Sequence, residues 1–193
     1  MNEKDWARQV HRRLHDVVQK MQSGGGVCLD VREGAKLAYS LDITNYTDYT
    51  KEEPRIQSSA YETDLLVIET NLKTNTWKPR VVIELKLGEP HTHDAITYSR
   101  KASAHKSIHP YLRYGILIGS VKSLSWRFYR HGECFDFMTT WSSTKPNQQE
   151  LATFTKLVRS ELKASRQMEM LFSEKGNKDH RRYTYYHRKL ELR

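Results

Sequence analysis

At the start of the chain apolar residues recur at helical spacing: Trp6, Val10, Leu14, Val17, Val18 and Met21, with Arg, His, Lys and Gln between them. This predicts an amphipathic helix from about Asp5 to Met21, ended by Ser23-Gly24-Gly25-Gly26. The pattern then becomes β-like. Val27 to Val31 is apolar and β-branched, and Lys36 to Ile43 (KLAYSLDI) is a second strand candidate. Asn45 to Pro54 is polar and turn-rich, and reads as a loop beside the functional region in space. Two segments of clear strand character follow, Tyr61 to Glu69 (YETDLLVIE) and Arg80 to Leu87 (RVVIELKL). The turn-like TNLKTNTWKP between them predicts a hairpin.

Beyond the hairpin, Thr92 to Lys106 is helical and Tyr114 to Ser120 (YGILIGS) is an apolar strand. The order strand, helix, strand implies a crossover and hence a parallel pair. Ser125 to Tyr129 and Glu133 to Met138, joined by Arg130-His131-Gly132, read as a further strand pattern with a tight turn. Pro146-Asn147 opens a long helix from Gln148 to about Phe172. The expected fold class is α/β, a mixed sheet flanked by helices. We expect a single domain over 1–193, with a core at about 55–120, an N-terminal helix and a basic C-terminal extension.

Composition adds partners and exclusions. With 37% hydrophobic and 28% charged residues, the chain has the make-up of a soluble globular protein. No apolar run approaches the roughly 20 residues a membrane helix needs. The mixed-charge N-terminus lacks a secretory signal, which points to the cytoplasm. Cys28 and Cys134 lie far apart without CxxC or Cys/His spacing and read as small packing residues. The net charge of +9 makes a polyanionic partner plausible. Residues 174–193 supply +4 of it with three interleaved tyrosines, a pattern that suits nucleic acid and equally a solvated or oligomer-forming tail.

Candidate chemistry centres on VVIELK. Alternation along a strand points Glu84 and Lys86 to one face and Ile83, Leu85 and Leu87 to the other. Asp64 stands near the start of the preceding strand, and an antiparallel hairpin brings it toward Glu84. Two carboxylates with the Leu85 carbonyl make a hard oxygen site suited to Mg²⁺, and a lysine beside them can stabilise charge on a phosphodiester under attack. The same spacing also fits an ion-pair row on a solvated face, with Asp64 as a strand-entry residue.

Asp64 in ETDLLV, Glu84-Leu85-Lys86 in VVIELK, then a helix and the strand YGILIG, together resemble the core of the PD-(D/E)xK nuclease superfamily, and most closely a type II restriction endonuclease. The likeness covers about Arg55 to Ser120. It implies a Mg²⁺ site from Asp64, Glu84 and the Leu85 carbonyl, with Lys86 as the catalytic lysine. Two features depart from the pattern. Thr63 replaces the proline that commonly precedes the first aspartate, and the acid often carried on an early helix is not assignable among Glu3, Asp5 and Asp16. Glu62 falls by alternation on the side of Asp64.

The segment after Lys86 holds His91, His93, Asp94, Tyr98, Arg100, Lys101, His105, Lys106 and His109, whose positive side chains can reach phosphate. His105 and His109 have HxxxH spacing without the accompanying acid of a zinc protease, and read as part of a solvated helix face. Asp94 and Tyr98, one turn apart, can hydrogen-bond and support the centre. The expected activity is Mg²⁺-dependent, sequence-specific cleavage of double-stranded DNA by a homodimer. The alternatives are a structure-specific resolvase or repair nuclease, and a non-catalytic DNA-binding module with this fold.

Overall fold

The computed structural model describes residues 1–21, 25–46 and 53–173. Five strands form one mixed sheet in the order β1 (Val27–Tyr46), β2 (Pro54–Asn71), β3 (Thr76–Leu87), β4 (Arg113–Gly119) and β5 (Phe137–Trp141). The first three strands pair antiparallel, and β3 with β4 and β4 with β5 pair parallel. Four helices pack alongside: α1 (Glu3–Gln19), α2 (Thr92–Ile108), α3 (Trp126–His131) and α4 (Gln148–Ser173). This is the expected α/β class, with the expected hairpin and crossover.

Strand alternation divides the core. Val81, Ile83, Leu85 and Leu117 face α1 and α4, where they meet Trp6, Val10, Leu14, Phe154 and Val158. Val82, Tyr114, Ile116 and Ile118 face α2 and α3, against Ala95, Ala102 and Phe128. Small buried residues on α2, namely Ala95, Ser99 and Ala102, let that helix lie close to the sheet. On the other face α1 is seated by Trp6. Its indole rests so tightly on Gly119 that a Cβ there would lie 2.4 Å from Cζ2, and its Nε1–H donates to the Thr144 carbonyl at 3.1 Å.

Several expectations are corrected. The two segments Val27–Val31 and Lys36–Ile43 are one continuous strand, because Gly34, at φ +63°, twists the chain without ending the ladder. Asn45 and Tyr46 belong to β1 and Pro54 to β2, and residues 47–52 of the expected loop lie outside the described residues. The hairpin turn is shorter than TNLKTNTWKP, since Thr70 and Asn71 already pair with Trp77 and Thr76. Pro79, which has no N–H to give, sits at a register shift in this ladder.

The expected strand Ser125–Tyr129 is helical, and its turn Arg130-His131-Gly132 is a helix end, with Gly132 N–H donating to the Phe128 carbonyl at 2.8 Å. WRFY has β-type composition, but only Phe128 is buried, which is the burial of one short helical turn. The strand that follows begins at Phe137. Among the described residues no helix is long and apolar enough to cross a membrane. Both cysteines are free.

Candidate metal and catalytic centre

The site forms where β2 leaves β3. Their ladder stops at Leu65 opposite Ile83, while β2 continues paired with β1 as far as Pro54 opposite Tyr46. Thr63 secures this departure: it is buried and its hydroxyl donates to the Ala35 carbonyl of β1 at 3.0 Å. From Glu84 to Leu87, β3 therefore has β4 on one edge and no paired strand on the other.

Buried strand N–H groups require acceptors, and here carboxylates replace the missing strand. Asp64 Oδ2 accepts from Leu85 N–H at 2.7 Å, and Glu3 Oε2 accepts from Leu87 N–H at 3.0 Å. In an antiparallel ladder the N–H and C=O of a bonded residue point to the same edge, which turns the Leu85 carbonyl into the same gap. Glu3 thus carries a carboxylate of the first helix to the end of β3. Asp5 instead pairs with Arg8 on the exposed side of α1.

Glu84 is only 1% exposed, and its carboxyl lies within hydrogen-bonding reach of that of Asp64. Burial, then the Asp64 charge, pushes the Glu84 carboxyl up to about 8. The Tyr114 hydroxyl, which donates to Oε1, and the Lys101 ammonium act in the opposite direction. Lys86, on the same face, is about a quarter exposed and places Nζ 3.7 Å from Asp94 Oδ1. Asp94 is fixed in turn, since its Oδ2 accepts His91 N–H at 2.8 Å at the start of α2. Tyr98 is half-buried nearby, and its hydroxyl is pushed up by burial and by the charges of Asp64, Glu84, Glu3 and Asp94.

The structure thus brings Asp64, Glu84 and the Leu85 backbone together, with Lys86 beside them. The solvated ion-pair row is not formed, because Glu84 is buried and the ion-pair partner of Lys86 is Asp94. Asp94 and Tyr98 both adjoin the centre, with the Asp94 oxygens engaged by Lys86 and His91. Glu62 is exposed, its carboxylate over Gly34. The solvated histidine face is a correction: His105 is fully buried, stacked on Tyr114 at 5.6 Å and near Tyr39 and Tyr61, with Nδ1–H donating to the Ala38 carbonyl at 2.9 Å. Burial lowers its pKa and keeps it neutral. Lys106 is committed to the Cys134 carbonyl and Asp136.

Among the described residues no three His, Cys, Asp or Glu side chains form a metal cage by themselves. The expected Mg²⁺ set needs only two side chains and a carbonyl, and the donors fit it. The buried Glu84 carboxyl faces the half-buried Asp64, an arrangement that favours a proton or a cation between them. Tyr114 was missed by sequence reasoning, and Glu3 was named there without being assigned. No short-range signal links Tyr114 to Glu84, and Glu3 precedes the periodic part of its helix. Compared with models of protein families and with curated protein sequences, the chain matches none.

Proposed function

We propose that this chain is a Mg²⁺-dependent endonuclease that hydrolyses phosphodiester bonds of double-stranded DNA. The observation that carries this is the buried Glu84 carboxyl facing Asp64 across the gap between β2 and β3, with Lys86 on the same face. Asp64, Glu84 and the Leu85 carbonyl would hold the ion. Mg²⁺, when bound, supplies polarisation of the phosphodiester and a water of lowered pKa.

The chain's own groups do the rest. The Tyr114 hydroxyl fixes the Glu84 side chain through Oε1. Leu85 N–H fixes Asp64 through Oδ2, so both carboxyls meet the substrate already oriented. Lys86 is held by Asp94 beside the centre and is about a quarter exposed, a position from which its ammonium offsets the charge that builds on a phosphate oxygen. Glu3, one turn from the Trp6 anchor, adds a carboxylate at the end of β3.

Cutting both strands at one site is most simply done by two such centres related by a two-fold axis, which favours a homodimer. A sequence-specific, restriction-type enzyme is supported by the β1–β2 ribbon. Beyond the end of the β2–β3 ladder it is largely exposed, and a two-stranded ribbon is an element the major groove admits.

The test is cleavage of supercoiled plasmid with and without Mg²⁺ by wild type, Asp64→Ala and Lys86→Ala. Wild type should nick and linearise the plasmid only with the metal, and each variant should lose roughly 100-fold or more in rate. Discrete fragments would support restriction-type specificity, and preference for branched DNA a resolvase. Wild-type protein that binds DNA but never cuts it would remove the enzymatic assignment.

A further inference from the structure

Beside the carboxylate pair, an open cleft of about 350 Å³ separates the β1–β2 ribbon from α2 and is lined by Tyr61, Ile96, Thr97, Arg100 and Lys101. Its two ends differ chemically. Arg100 is exposed, and no carboxylate pairs with it among the described residues. Lys101 is held between two rings, its Nζ 5.8 Å from the centroid of Tyr61 and 5.4 Å from that of Tyr98. This ammonium is close enough to act on Glu84. The opposite wall is apolar and open to solvent, with Ile96 49% and Tyr61 39% exposed.

Neighbouring cations on α2 and on the sheet are committed elsewhere. Lys106 is bound to Cys134 and Asp136, Arg113 to Asp136 and Glu161, and Arg80 to Glu69 and Glu169. Of the lysines and arginines on α2, Arg100 and Lys101 have no ion pair among the described residues, and both line this cleft.

We propose that this cleft is the seat of the nucleotide flanking the cleaved bond. Arg100 and Lys101 take its phosphate, and Tyr61 and Ile96 pack against its sugar or base. The cation–π contacts aim Lys101 before substrate arrives, and Arg100 offers two N–H donors to one phosphate. Alternating charge and apolar surface is what one unit of a DNA strand presents, and the proximity of Lys101 to Glu84 places that unit next to the reacting phosphate. This rests on the nuclease function proposed above and adds to it the path of the strand.

The experiment measures binding of a labelled DNA duplex over a range of salt, with Ca²⁺ replacing Mg²⁺. It compares wild type, Arg100→Gln and Arg159→Gln. Arg159 is exposed on α4, across the sheet, so its variant matches the charge loss away from the cleft. Arg100→Gln should weaken binding roughly tenfold and flatten the dependence of log K on log salt by about one unit, whereas Arg159→Gln should stay close to wild type. A single neutral methylphosphonate walked along the strand should weaken wild type at one position next to the cut and leave Arg100→Gln unaffected there.

If Arg100→Gln and Arg159→Gln behave alike, or if wild type binds no duplex, the cleft is not a strand seat. If binding depends on Arg100 but Mg²⁺ never brings cleavage, the seat stands and the nuclease assignment falls.

Discussion

Glu84 is the residue on which the electrostatics of the site turn. Burial and the facing Asp64 hold its carboxyl at about 8, so the metal-free folded protein retains a proton that the unfolded chain releases near its ordinary value of 4.5. Stability from this group is fully present below about pH 4.5 and is lost as pH rises through about 8. Thermal melts of metal-free protein should therefore show a fall across this window, with a Glu84 contribution on the order of a few kcal/mol. Glu84→Gln, which cannot ionise, should flatten that fall, and a fall of unchanged size in the variant would remove Glu84 as its cause. Alternation made the shared face of Glu84 and Lys86 legible in the sequence, because strand geometry fixes it within three residues. The burial of Glu84 and its bond from Tyr114 were not legible, since both depend on which strand and helix come to lie over it.

At the level of elements, the departure of β2 from β3 creates the gap, and helix α1 closes one end of it. Its register depends on Gly119, where the backbone accepts the Trp6 indole at a distance no side chain would allow. Gly119→Ala should push Trp6 outward and destabilise the fold by about 1–3 kcal/mol, read as a lowered denaturation midpoint. A midpoint equal to wild type would show that α1 is not seated this way. The hairpin and the first and last helices were readable because each has a sustained period or clear turn or cap signals. Two elements were not. Val27–Val31 and Lys36–Ile43 read as two strands although Gly34 between them only twists one, and the aromatic run at Trp126 suggested a strand where a single buried ring makes a short helix. His105 was misread for a related reason: α2 buries small and polar residues, so its inner face carries little hydrophobic signal.

Across the whole molecule, charge is divided unequally. On the α4 side, Glu69 binds Arg80 and Arg166, Glu169 binds Lys78 and Arg80, and Glu161 binds Arg113, tying the sheet to the helix. On the α2 side the acids gather at the gap and Arg100 and Lys101 flank it. Among the described residues, positive charge is therefore not a uniform coat. Arg100 and Lys101 stand beside the Asp64 and Glu84 carboxyls, a juxtaposition that supports the proposed pairing of a divalent cation with a phosphate.

Whether Asp64 and Glu84 share a divalent cation is tested most directly by titrating the protein with Mn²⁺ and measuring the free ion by its paramagnetic resonance. Wild type should bind Mn²⁺ at this site, more tightly as pH rises toward about 8 and the Glu84 proton is given up, with Asp64→Asn and Glu84→Gln each weakening it roughly tenfold or more. Binding that ignores pH and survives both substitutions, or no binding at all, would contradict the metal centre on which the proposed activity depends.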